Sequence, residues 1–93
     1  MLSAEPVKLD KLKKEDIDKE ILRLAMIAEL DAVSLYEQLA AMTKNNAIKT
    51  ILLDIAKEEK THVGEFQALL LKLDQQQMIE LENGKREVEE KTR

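Results

Sequence analysis

Two side chains in the middle of this sequence are spaced to share a metal ion. Glu59 and His62 stand three positions apart in Glu58-Glu59-Lys60-Thr61-His62, and His62 is the single histidine. On a helix that separation puts both on one face, one above the other. A third donor, Glu29, occupies the preceding helical stretch. All three sit among Ile, Leu, Val, Ala and Phe at helical spacing. Burying a lone carboxylate is costly, so such a group protonates or finds a partner. No Lys or Arg shares the central apolar arc of either stretch, which favours bound cations as the partner.

The helical faces define what must position these groups. At ~100° per residue, Leu22, Ala25, Met26, Ala32, Val33, Tyr36 and Ala40 fall within about 60° of Glu29. Ile48, Leu52, Ile55, Ala56, His62, Val63, Phe66, Leu70 and Leu73 fall within about 60° of Glu59. Each apolar face is wider than the ~100° stripe of an ordinary surface helix. The two faces exceed what two helices can cover between themselves, and exposed patches of that size mean association. The simplest closure is a two-fold dimer of antiparallel hairpins, a four-helix bundle. Ile27, Leu30, Leu53 and Leu71 fall on the otherwise polar arcs and point to a second interface and a higher oligomer.

Such a dimer supplies Glu29, Glu59 and His62 twice each. Four carboxylates balance two divalent ions, and two neutral imidazoles add no charge. This is the donor inventory of di-iron and di-manganese carboxylate bundles, which take a Glu from each of two helices and a Glu-x-x-His from each of the other two. Oxygen donors with imidazole suit iron or manganese, and zinc also fits. Tyr36 is placed to hydrogen-bond a ligand from behind. Asp31, Glu58 and Glu65 are placed to guide cations inward.

Composition narrows the remaining classes. The 93 residues make one small domain, 44% hydrophobic and 37% charged, with Gly 2, Pro 1 and 2% aromatic residues. Few breakers and many Ala, Leu, Glu and Lys favour an all-α chain. The absence of cysteine excludes disulfides and thiolate metal sites and suits a reducing cytoplasm. A net charge of -4 leaves no basic footprint for nucleic acid. No apolar run approaches the ~18–20 residues of a membrane span, and Met1 to Asp10 lacks the apolar core of a secretory signal.

In chain order, residues 1–13 read as an N-terminal arm whose Leu9 and Leu12 pack on a neighbour. Residues 14–82 read as the helical hairpin with a short third helix. The first helix starts near Lys14 to Asp16 and runs to about Thr43. Lys44-Asn45-Asn46 turns the chain, and the second helix runs from about Ala47 to Lys72 or Leu73. Asp74 and Gln77 resemble a capping box opening the third helix, which Asn83-Gly84 should stop. Residues 83–93 read as a charged tail or linker.

At the ligand positions the chain resembles the encapsulated ferritins. The stretches Ile27-Ala28-Glu29-Leu30-Asp31-Ala32-Val33-Ser34-Leu35-Tyr36 and Asp54-Ile55-Ala56-Lys57-Glu58-Glu59-Lys60-Thr61-His62 carry the likeness. It also resembles the ferritin-like domain fused ahead of the shell protein in some archaeal encapsulins. The resemblance implies a ferroxidase: a two-helix half-ferritin that pairs to form its di-iron centre and assembles into an open ring of five dimers. It implies Glu29, Glu59 and His62 as iron ligands and catalytic residues, with Tyr36 beside them and Asp31 attracting incoming iron. It implies oxidation of Fe(II) to Fe(III), with mineral stored in an encapsulin compartment of the cytoplasm. Two departures stand out. Ala28 and Leu35 replace a Glu and a Trp of a relative, and the charged tail lacks the small cargo-addressing peptide: either the copy is excised from a shell fusion, or its targeting is not in this sequence. Two other readings use the same residues. One is a rubrerythrin-like di-iron peroxidase; the other is a metal-free helical assembly adaptor with its carboxylates protonated or paired across subunits.

Overall fold

A computed structural model describes residues 13–93 as three α-helices. The expected N-terminal arm therefore lies outside the described residues, save for Lys13. Helix α1 spans Lys14–Met42, α2 spans Asn46–Leu73 and α3 spans Gln75–Lys91. At ~1.5 Å per residue α1 and α2 are each about 42 Å long, and they pack along one another as an antiparallel hairpin. The overall dimensions of 47 × 43 × 20 Å are thin in one direction, about two helix diameters.

Local chemistry explains where each helix starts and stops. After Met42 the Thr43 backbone N–H still donates to Leu39 O at 3.2 Å, closing α1. The Asn45 side chain then accepts from the Ile48 backbone N–H at 3.0 Å and caps α2, satisfying one of the orphan donors of a helix start. Asp74 alone separates α2 from α3. Its backbone N–H donates to Leu70 O, and its Oδ1 accepts from the Gln77 backbone N–H at 3.0 Å. The expected capping box is thus formed on its Asp side.

The third helix is longer than the sequence reading allows. Asn83-Gly84 does not stop it, and the charged segment beyond is helical to Lys91. Gly84 is not in the left-handed conformation of a helix terminator. Asn83 is used instead along the helix surface: its amide donates to Glu80 Oε1 at 3.1 Å and its carbonyl accepts from Arg86 Nη2 at 2.7 Å. Opposite charges four apart, such as Glu82 with Arg86 and Lys85 with Glu89, add the helical spacing that carries α3 past the glycine.

The core of the single chain is slight. Among the described residues only Val33, Ala40, Ala56 and Leu70 are buried, and no polar group is. Large apolar side chains stay open on two sides. Ile21, Leu35, Leu39, Ile48, Ile51, Leu69 and Leu73 are exposed along the hairpin face that carries the candidate ligands, and Ile27, Leu30 and Leu53 are about half open elsewhere. Part of that second set is met by α3: Ile27 and Leu30 line a recess with Gln77 and Leu81. No helix of the described residues is long and apolar enough to cross a membrane.

Candidate metal centre

Antiparallel pairing brings the middle of α1 against the middle of α2, and that is where the three donors meet. Glu29 comes from α1, Glu59 and His62 from α2. His62 Nδ1 lies 3.3 Å from Glu29 Oε2 and 3.5 Å from Glu59 Oε2. Each of the three offers a donor atom, and these atoms lie within 4.8 Å of one another. Ligands on one tetrahedral ion at ~2.1 Å sit roughly 3.4 Å apart, so the two imidazole–carboxylate distances already suit a shared ion. A pair at the 4.8 Å limit would have to close by about 1.4 Å to share such an ion, a shift that a change of carboxylate rotamer supplies.

The site is half covered. The side chains of Glu29 and Glu59 are 22% and 19% exposed, whereas the His62 ring is 43% exposed. The cluster opens on the apolar face that the hairpin leaves uncovered. Two carboxylates and one imidazole would leave positions around a metal ion unfilled. The donors are oxygen and imidazole nitrogen only, a set that suits iron, manganese or zinc. Without an ion, a proton on Nδ1 lets His62 donate to Glu29.

The other sequence candidates are not gathered into this cluster. Tyr36 is half-buried and lines a shallow recess of α1 with Ala28, Asp31, Ala32 and Leu35. It makes no hydrogen bond to the three donors within the chain. Asp31 is half-buried in the same recess, some 160° around α1 from Glu29. Glu58 and Glu65 are exposed on α2. Two ion pairs that position the helices were missed by the sequence reading. Lys60 Nζ, next to Glu59, reaches across to Glu37 Oε2 of α1 at 2.9 Å. Arg23 Nη2 of α1 reaches Asp74 Oδ2 at 3.0 Å. Both pairs are centred on the same point of the sequence, so matching opposite charges across the hairpin turn would have found them.

Comparison with known proteins gives the family of the chain. A family model described as Rubrerythrin matches residues 20–93. The chain is 54% identical over 95 residues to a ferritin-like–encapsulin shell fusion protein of Pyrococcus furiosus; the match takes in 99% of this chain and 27% of that relative's length. The crystal structure of the encapsulated ferritin domain from Pyrococcus furiosus is 52% identical and superposes with a TM-score of 0.84, covering 97% of this chain and 94% of that one. The family match begins within α1 and takes in the three donors, α2 and α3. The chain belongs to the ferritin-like rubrerythrin family and, within it, to the encapsulated ferritins.

Proposed function

We propose that the protein is a ferroxidase that oxidises Fe(II) to Fe(III) between two copies of the chain, for iron storage and detoxification. The observation that carries this reading is the convergence of Glu29, Glu59 and His62 on an exposed apolar face. A two-fold axis through that face turns two half-sites into one centre for two irons, with Glu29, Glu59 and His62 supplied by each chain. The four carboxylates neutralise two ferrous ions, and the apolar rim excludes water once the faces meet. Iron supplies the redox chemistry: each ferrous ion gives up one electron, and dioxygen or peroxide takes the electrons up.

The chain's own groups have distinct tasks in this reading. The carboxylates of Glu29 and Glu59 attract Fe(II) and stabilise the extra positive charge of Fe(III). His62 binds through one ring nitrogen and keeps the site selective for transition metals over calcium or magnesium. Tyr36 hydrogen-bonds a ligand when the second chain completes the site. Asp31, Glu58 and Glu65 draw cations toward it. The dimers assemble further into a ring such as a decamer through the second apolar set around Ile27 and Leu30. The fusion of a close relative to an encapsulin shell supports an encapsulin partner and a place inside that cytoplasmic compartment.

The test is direct. Fe(II) is added in air to the purified protein and ferric absorbance is followed beside Glu29→Ala and His62→Ala variants. The parent should oxidise iron rapidly and both variants should fall to the rate of buffer alone. Equal traces for parent and variants would sink the reading. The family match to rubrerythrin favours a second reading at the same centre, reduction of peroxide to water with a separate electron donor. Peroxide turnover that outpaces iron oxidation would select it.

A further inference from the structure

We propose that the Arg23–Asp74 pair is an orientation latch that fixes the direction of α3 relative to the hairpin. Three observations carry this. First, a single residue joins α2 to α3. Asp74 has φ -134° and ψ 87°, neither helical, so the angle between the helices is set at that one position. Second, the two oxygens of its carboxylate are divided between helices. Oδ1 accepts from the Gln77 backbone N–H of α3 at 3.0 Å, and Oδ2 accepts from Arg23 Nη2 of α1 at 3.0 Å. The carboxylate is only 14% exposed, and Glu20 holds the guanidinium from its far side at 3.6 Å. One side chain thus ties α1 to the first turn of α3. Third, burial does not fix α3 independently. None of its residues is buried, and Gln77 and Leu81 only line an open recess together with Met26, Ile27 and Leu30 of the hairpin.

The energetic logic follows. A surface ion pair adds little to stability, yet a modest preference selects one direction when competing directions differ little in buried area. Asp74 is also the cap of α3, so the group that starts the helix is the group that aims it. Because α3 lies beside Ile27 and Leu30, its direction decides whether that apolar set is presented or covered.

The test separates aiming from capping. The chain has no cysteine, so spin labels go cleanly on cysteines introduced at Lys49 of α2 and Glu90 of α3, both exposed. Labelled chains are diluted with unlabelled ones, and the distance between labels is measured by pulsed electron resonance in the assembled protein. Position 90 lies about 23 Å from the pivot at ~1.5 Å per residue, so a 20° swing displaces it by roughly 8 Å. Asp74→Asn keeps an N-cap acceptor but loses the charge; Arg23→Gln loses the charge from the other side. Both should broaden or shift the distance distribution by several ångströms while far-UV circular dichroism stays unchanged. A distribution identical to the parent's in both variants overturns the latch. A third variant, Asp74→Ala, removes cap and charge together; broadening in it alone also overturns the latch, because the direction would then belong to the cap.

Discussion

Replacing Ile51 by Ala asks whether the donor-bearing face is where two chains meet. Ile51 lies two turns before Glu59 on the same side of α2 and forms a shallow apolar recess with Ala47, Ile48 and Leu52. Full burial of an Ile side chain contributes about 1.5–3 kcal/mol. Ile51 keeps 59% of its surface open in the single chain, so a second copy can recover roughly 1 kcal/mol of that once the remaining Ala methyl is allowed for. A two-fold interface presents the residue twice, which makes about 2 kcal/mol per dimer. At ~1.4 kcal/mol per tenfold, the dimer dissociation constant should rise roughly 30-fold. Sedimentation velocity over a dilution series measures it. Ala is a better helix former than Ile, so a weakened dimer cannot be ascribed to a weakened α2. Thr50→Ala, on the opposite side of the same helix, serves as the control and should leave association unchanged. An unchanged dissociation constant for Ile51→Ala would refute the placement of the interface on this face.

Two further outcomes test the helix termini. The Gln77 backbone N–H, followed by the charges of Lys19 and Arg23, holds the Asp74 carboxyl below its ordinary value, with burial opposing them. Its contribution to stability is therefore complete above the unfolded value near ~3.9 and is lost as pH falls through the lower folded value. The melting temperature of the parent should exceed that of Asp74→Asn at neutral pH, and the gap should close as the solution is acidified through that range; a gap independent of pH would contradict the assignment. Gly84→Ala should strengthen α3 by about 0.5–1 kcal/mol, because the added methyl meets no atom within 4 Å and the backbone is not left-handed. Thermal denaturation followed by circular dichroism checks it, and a loss of stability would mean that a neighbouring chain requires the glycine's space.

The hairpin and the convergence of Glu29, Glu59 and His62 were legible because their signals are periodic and local. Apolar residues at helical spacing around Glu29 and Glu59 located α1 and α2 to within a residue or two, and the Asn45 and Asp74 caps marked their boundaries. The meeting of Glu29 with His62 followed from antiparallel pairing across a short turn. Two features were not legible. Asn83-Gly84 reads as a stop because glycine commonly ends helices through a left-handed residue, but here side-chain bonds from Asn83 to Glu80 and Arg86 run along the helix instead. The Arg23–Asp74 and Lys60–Glu37 pairs depend on the register of two helices, which no single-helix pattern reveals. Tyr36 and Asp31 line one recess of α1; Tyr36 shares the helix side of Glu29 two turns away, whereas Asp31, some 160° around, faces away from the donors of its own chain.

Anomalous diffraction at the iron edge from crystals soaked in Fe(II) tests the central claim most directly. Two iron peaks should lie between two hairpins related by a two-fold axis, each within about 2.0–2.3 Å of Glu29, Glu59 and His62 donor atoms. Iron bound elsewhere, with those three side chains carrying none and the hairpins meeting through another face, would contradict it.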